Sequence, residues 1–230
     1  MQQDGGVSTP ETLSADQAVA RAVALAAAGG RSVLGIAGAP GAGKSTLARR
    51  VVTAVTEQLG AGVAVQVPMD GFHLANAALD ALGRHDRKGA IDTFDAAGYV
   101  ALVRRLTGGA GTDSTHSTDS TDTIWAPDFD RGVDEPVAGS IAVPSETVLV
   151  VSEGNYLLDQ STPWCELPGL FTETWACVVD DDVRIDRLVG RHMRHGRDHG
   201  SARAWAVEVD GVNAARVTAD LHRASVLVRT

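Results

Sequence analysis

Residues 33–46 constrain this chain more than any other stretch. They run Val-Leu-Gly-Ile-Ala, then Gly38-Ala39-Pro40-Gly41-Ala42-Gly43-Lys44-Ser45, then Thr46 and a helical pattern to Gln58. Gly, four residues, Gly, Lys and Ser, set between an apolar strand and a helix, make a phosphate cradle. Glycines let successive backbone N–H groups curl round an anion, and the helix turns its positive end toward it. In this pattern 38–46 binds a nucleoside triphosphate, Lys44 reaches the β- and γ-phosphates, and Ser45 ligates magnesium. A chance glycine turn has no reason to sit between a strand and a helix. Of the 20 basic residues, Lys44 and Lys88 are the only lysines. A compact ammonium at Lys44 is not replaceable by a planar guanidinium, which fits its survival in a chain that otherwise uses arginine. Lys88 is either a second such case or part of a solvated charge run.

Around the cradle, apolar runs at 33–37, 63–67, 148–151, 175–179 and 225–228 read as buried parallel strands. Helical patterns at 45–58, 95–106, 183–195 and 202–220 alternate with them. The expected fold is therefore α/β, a P-loop three-layer sandwich around a central, mainly parallel five-stranded sheet. Ligands of such sheets bind beyond the carboxyl ends of the strands, where this chain places the cradle, Met69-Asp70-Gly71, Glu153-Gly154-Asn155 and Asp180-Asp181-Asp182. A single domain over 1–230 is expected, broken by a flexible surface insertion at 107–123 that is nearly all Gly, Ser, Thr and Asp, with His116 as a solvated loop residue. The Ala-rich stretch 18–28 reads as an amphipathic helix.

A net charge of -9 argues against a nucleic-acid partner, because phosphate backbones are held by clustered Lys and Arg. Cys165 and Cys177 are too few for a disulfide framework and lack zinc-ligand spacing. No basic residue precedes Arg21, unlike a secretory leader, and no apolar run reaches the roughly 20 residues needed to cross a bilayer. The expected setting is the cytoplasm, with no membrane partner.

A phosphate cradle alone does not separate kinases from hydrolases and switches. Asp70, at the end of the second strand, is the best discriminator: a carboxylate there can accept a proton from a substrate hydroxyl, or else cap a turn. Common GTPases read guanine with Asn-Lys-x-Asp, and neither lysine lies in such an element.

Met69-Asp70-Gly71-Phe72-His73, then Arg87-Lys88-Gly89 and Phe94-Asp95, then Glu153-Gly154-Asn155 resemble the phosphoribulokinase/uridine kinase family of P-loop kinases, near type I pantothenate kinase and the bacterial nucleoside/nucleotide (sugar) kinase-like branch. The likeness runs from about 33 to 213. It implies ATP and Mg2+ as cofactors, a small-molecule hydroxyl acceptor (nucleoside, pantothenate-like or sugar), and Asp70 as general base. Arg87 and Lys88 would line the acceptor pocket, and His73 would orient Asp70, cap a helix or touch substrate. Glu153 is similar to the carboxylate that holds magnesium's water shell, a structural strand-end carboxylate being the alternative. Residues 184–197 look like an arginine-bearing lid, with Arg191 and then Arg194 to stabilise the transferring phosphoryl group. The chain departs from pantothenate kinases at Ala126-Pro127-Asp128-Phe129-Asp130-Arg131, where Asp130 and Arg131 either orient acceptor hydroxyls or pair with each other. Asn213 is similar to a late motif of the kinase-like branch. Such families allow a homodimer, and a P-loop NTP hydrolase or regulatory nucleotide-binding protein is the alternative activity.

Overall fold

The computed structural model describes residues 10–108 and 123–230. Its centre is β2 (Ser32–Ala37), every residue of which is buried. A strand covered on both faces needs an unbroken apolar run rather than an alternating one, and Ser-Val-Leu-Gly-Ile-Ala is such a run. Parallel to it lie β6 (Leu149–Gly154) on one side and β7 (Glu173–Val178) on the other, with β3 (Ala64–Pro68) beyond β6 and β8 (Val226–Arg229) beyond β7. These are the five strands that the sequence shows.

A sixth, β1 (Glu11–Ser14), extends the sheet by pairing in parallel with β8, to give the order β1-β8-β7-β2-β6-β3. It escapes sequence reading because its residues are mostly exposed and form no apolar run. It leads straight into α1 (Ala15–Ala27) through a reciprocal cap: Ser14 Oγ accepts from the Gln17 N–H at 3.2 Å, and Gln17 Oε1 accepts from the Ser14 N–H at 2.8 Å. Arg21 ties this edge down, reaching Glu173 through two nitrogens at 2.9 and 3.1 Å and Glu11 at 2.7 Å.

Successive strand residues feed opposite faces. Leu34, Ile36, Val151 and Trp175 pack under α1 and α2 (Lys44–Leu59), meeting Ala18, Ala22, Leu47 and Val51. On the other face Val33, Val67 and Val150 meet Tyr99, Val103 and Leu106 of α4 (Ala96–Leu106). The three-layer sandwich expected from the strand-helix alternation is thus present. No helix among the described residues is long and apolar enough to cross a membrane.

Three details depart from the sequence reading. The helix expected over 202–220 is two helices, α6 (His199–Glu208) and α7 (Asp210–Asp220), interrupted at Val209. Asp198 starts α6 by accepting the Ser201 N–H at 3.0 Å. α6 and α5 (Asp181–Arg194) form a small apolar cluster of Leu188, Val189, Ala202 and Ala206. Second, the loop around 126–131 belongs to an antiparallel hairpin of β4 (Ile124–Asp130) and β5 (Glu135–Val143), irregular between Ala126 and Asp128. Pro127, which has no N–H to give a ladder, sits at that irregularity. A short helix, α3 (Asn76–Ala81), lies before the Arg87-Lys88 loop. Third, of the expected insertion, Thr107 and Gly108 form a turn after α4, whereas 109–122 with His116 lie outside the described residues.

Candidate active site

The site is assembled at the carboxyl ends of β2, β3 and β6. The loop after β2 enters α2 through Gly43, whose φ of 88° lies in the left-handed region that favours glycine. Lys44 follows at the first turn, buried, and its Nζ donates to the Ala39 carbonyl at 3.1 Å and to Asn155 Oδ1 at 2.9 Å. Burial pushes its ammonium below the ordinary lysine value, and the nearby Glu153 charge opposes that shift. A buried cation satisfied by two neutral oxygens is arranged to meet an anion.

Beyond β3 a single 3₁₀ turn, Met69–Phe72, presents Asp70. Gly71 is required there by close approach: a Cβ on it would lie 2.3 Å from the Pro127 carbonyl oxygen of the hairpin. The same approach brings Arg131 over Asp70, Nη2 donating to Oδ2 at 3.2 Å. His73 follows with its Nδ1–H donating to the Asp70 carbonyl at 2.8 Å and its ring against Phe94 and Phe129. Burial pushes this imidazole below its usual value, so it is neutral near pH 7.

Glu153 ends β6 and is buried, with Gln66 Nε2 donating to it at 3.3 Å. Burial first, then the Asp70 charge, push its carboxyl up, whereas Lys44 and the Ser45 hydroxyl pull it down. Ser45, Asp70 and Glu153 share a cavity of about 380 Å³ that Arg49, Gln66, Asp128, Phe129 and Arg131 also line. A larger groove of about 940 Å³ runs on the other side of the loop, where Ala39, Cys177, Ile185, Val207 and Val212 make it mainly apolar.

Several residues singled out in the sequence lie elsewhere. Lys88 does not line the cavity. Its Nζ reaches Asn76 Oδ1 at 2.7 Å and Asp134 Oδ2 at 2.8 Å and sits 5.0 Å from the centre of the Phe129 ring, latching the hairpin turn. Arg87 pairs outward with Asp92 at 2.5 Å. Asp130 accepts the Gly132 N–H at 2.7 Å within the turn, so Arg131 pairs with Asp70 rather than with Asp130. Asn213 places its Oδ1 3.1 Å from the Tyr156 hydroxyl, which also lies 2.7 Å from the Gly89 carbonyl, so it joins α7 to two loops.

On α5, Arg184 is buried, donates to Asp181 at 2.8 Å and reaches the Pro40 carbonyl at 3.4 Å, pinning this helix to the phosphate-cradle loop. Arg191 lies near Asp210 at 4.0 Å and close enough to Lys44 to oppose its charge. His192 Nε2 is 2.7 Å from Asp210 Oδ2, which fastens α5 to α7. Arg194 makes no ion pair among the described residues. Two turns earlier, Arg187 points at the loop, its Nη1 3.5 Å from where a Cβ on Gly43 would be. Sequence reasoning passed over Arg49 and Gln66, which carry no motif signal, and gave no role of their own to Arg187, Asn155 and Asp128, although each lies in a quoted segment: the arginine-bearing lid, Glu-Gly-Asn and 126–131.

Comparison with known proteins agrees with this geometry. A Schizosaccharomyces pombe protein provisionally named a uridine kinase is 33% identical over 194 residues, 83% of this chain and 78% of its own. The crystal structure of a Silicibacter sp. TM1040 protein, provisionally named a fructose transport system kinase, is 33% identical, covers 90% of this chain and 98% of its own, and superposes with a TM-score of 0.75. YFH7 of Saccharomyces cerevisiae, described as a P-loop kinase with a circular permutation, shares the fold at a TM-score of 0.80 over 95% of this chain and 99% of its own, with 17% identity. The family described as magnesium chelatase, subunit ChlI, matches residues 11–65, a stretch that spans β1 to β3 and so contains the phosphate cradle. The chain belongs to the uridine kinase-like family of P-loop kinases. It is a small-molecule phosphotransferase.

Proposed function

We propose that the protein transfers the γ-phosphoryl group of ATP to a hydroxyl of a small metabolite, with Asp70 as general base and the chain acting as one kinase domain. The observation that carries this reading is the shared cavity: Asp70 opens onto the same space as Ser45 of the phosphate cradle and Glu153. A hydrolase needs only a water there, whereas about 380 Å³ beside the carboxylate leaves room for an acceptor.

The donor set fits magnesium. Ser45 and Glu153 offer two hard oxygens on one cavity wall, and Mg2+ is commonly held by one or two such groups together with water and phosphates. When bound, the metal supplies charge neutralisation across the phosphates. Segment 38–46 binds the phosphates through its backbone, and Lys44 exchanges neutral partners for phosphate oxygens. Until that exchange Asn155 keeps Lys44 aimed at the loop. Arg187 and Arg191 balance charge on the transferring group, with Arg194 second to them.

In the transfer the acceptor oxygen forms a bond to the γ-phosphorus as the bond to the β–γ bridging oxygen breaks. ADP leaves with that electron pair, and the hydroxyl proton passes to Asp70. His73 holds the Asp70 turn through its carbonyl contact, and Lys88 holds the hairpin that faces it.

The test is ADP formation with Mg-ATP against pooled nucleosides, hydroxy acids, sugars and their phosphates, with Asp70→Asn as the blank. Acceptor-dependent ADP that the variant fails to make supports the reading. Equal ADP release with and without every pool would replace it with hydrolysis.

A further inference from the structure

Two guanidinium groups on the acceptor cavity have far more donors than partners. Arg49 projects from α2, four residues beyond Ser45, and Arg131 comes from the end of the hairpin. Both line the cavity that Asp70 and Glu153 share. A guanidinium carries five N–H donors in a rigid fork. Arg131 uses one of them on Asp70, at 3.2 Å, and its side chain is 59% exposed. Arg49 makes no ion pair among the described residues, and its contact there is a 3.5 Å approach to the Thr46 hydroxyl. Its neighbour Arg50, turned away from the cavity, does pair, with Asp16 at 2.5 Å. Arg216 likewise spends two nitrogens on Asp159, at 2.6 and 3.1 Å.

The carboxylates of the cavity do not complete Arg49. Asp128 Oδ1 accepts the Phe129 N–H at 2.8 Å, and Glu153 lies buried among Gln66 and Ser45. Arg131 meanwhile occupies Oδ2 of the carboxylate that has to receive the hydroxyl proton. An acceptor bearing its own negative group offers Arg131 a better partner, because a carboxylate or phosphate meets the guanidinium fork with two parallel bonds. Taking that partner releases Oδ2 beside the bound hydroxyl.

We propose that the acceptor is an anionic hydroxy compound, either a hydroxylated carboxylic acid or a phosphorylated polyol or nucleoside, whose anion docks on Arg131 and Arg49. Arg131 is then a specificity residue as well as a cover for the base. The proposal rests on the kinase reading above and narrows its acceptor from hydroxyl compounds at large to charged ones.

The test uses acceptors matched except for charge: an aldonic acid against the alditol of equal length, a sugar phosphate against its free sugar, and a nucleoside 5′-monophosphate against its nucleoside. With Mg-ATP, the charged member of the best pair is expected to have a kcat/KM about thirtyfold or more above the neutral one. Arg131→Ala and Arg49→Ala should each cut that value about tenfold or more, mainly through KM, so that the ratio of charged to neutral kcat/KM falls with it. Arg131→Lys should recover part of the loss, which a merely structural arginine would not require. The acid and phosphate pairs show which anion is meant. A neutral member that matches or beats its partner overturns the proposal and leaves the kinase standing. So does a charge preference that survives in both alanine variants. If no compound accelerates ADP formation, and Asp70→Asn releases ADP as fast as the wild type, the kinase reading falls and takes this one with it.

Discussion

The two walls of the active site are held by different physics. On the nucleotide wall, the loop is fixed by backbone geometry and by burial: Gly43 in a left-handed conformation, Lys44 sealed beneath the loop, and Arg184 reaching the Pro40 carbonyl from a buried position. On the acceptor wall, the hairpin β4–β5 sets Ala126 and Val143 into the core but meets the site through polar contacts, namely the half-exposed pair of Arg131 with Asp70, nearly buried Lys88 to exposed Asp134, and Glu135 to the Asn76 N–H at 3.0 Å. Exposed ion pairs contribute little, with a median of about 0–1 kcal/mol each. A phosphate group is the same in every nucleotide, so a rigid receptor suits it. An acceptor has to enter and leave, so the wall that meets it is the one held by weaker and exchangeable contacts.

The predictions probe that contrast, from the largest effect down. Asp70→Asn should lower acceptor-dependent turnover about a thousandfold while nucleotide affinity, followed by titration, stays within about twofold. Lost affinity in this variant would mean that the two walls are not separable. Lys44→Ala should do the reverse, weakening the binding of ATP relative to the bare nucleoside by about ten- to a hundredfold. Undiminished phosphate-dependent affinity would remove the loop assignment.

Gly71→Ala should push the hairpin off the Asp70 turn, since the new Cβ would lie 2.3 Å from a backbone oxygen. A destabilisation of about 1–3 kcal/mol is expected by thermal or denaturant melting, together with reduced acceptor turnover and near-normal nucleotide binding. Lys88→Ala should act on the same wall more gently, with a loss of about 1–2 kcal/mol because its ammonium is nearly buried and bonded to Asn76 and Asp134.

The smallest effect is a pH dependence. His73 has a folded-state pKa below its unfolded value of 6.5 because burial disfavours the cation. Its neutral form is favoured in the fold, so its contribution is fully present above pH 6.5 and is lost as the pH falls below that value toward the folded pKa. Stability curves of wild type and His73→Gln measured between pH 7 and pH 5 should therefore converge with acidification. Parallel curves would remove His73 as the source.

Much of the nucleotide wall could be read from the chain alone. Gly38 to Ser45 is contiguous, and the strand before it and helix after it are local patterns with periods of their own. The same holds for the five strands with apolar runs, of which β2 and β6 are buried throughout. β1 was invisible because a short edge strand has neither an apolar run nor an alternation, and its place depends on β8, more than 200 residues away in sequence. Likewise the break at Val209 interrupts a continuous helical pattern without a Gly or Pro to announce it at that residue.

What the sequence by itself determined is the class of fold, the phosphate cradle with Lys44 and Ser45, and the order in which Asp70 and Glu153 come to one sheet edge, because strand ends in a parallel sheet fall on a common side. What only the tertiary structure decided is the acceptor wall: that Lys88 latches a hairpin, that Arg131 covers Asp70, that Arg49 and Gln66 face the cavity, and that Arg187 rather than Arg194 approaches the loop. Each of those contacts depends on register and on side-chain direction across elements remote in sequence, which no local periodicity encodes.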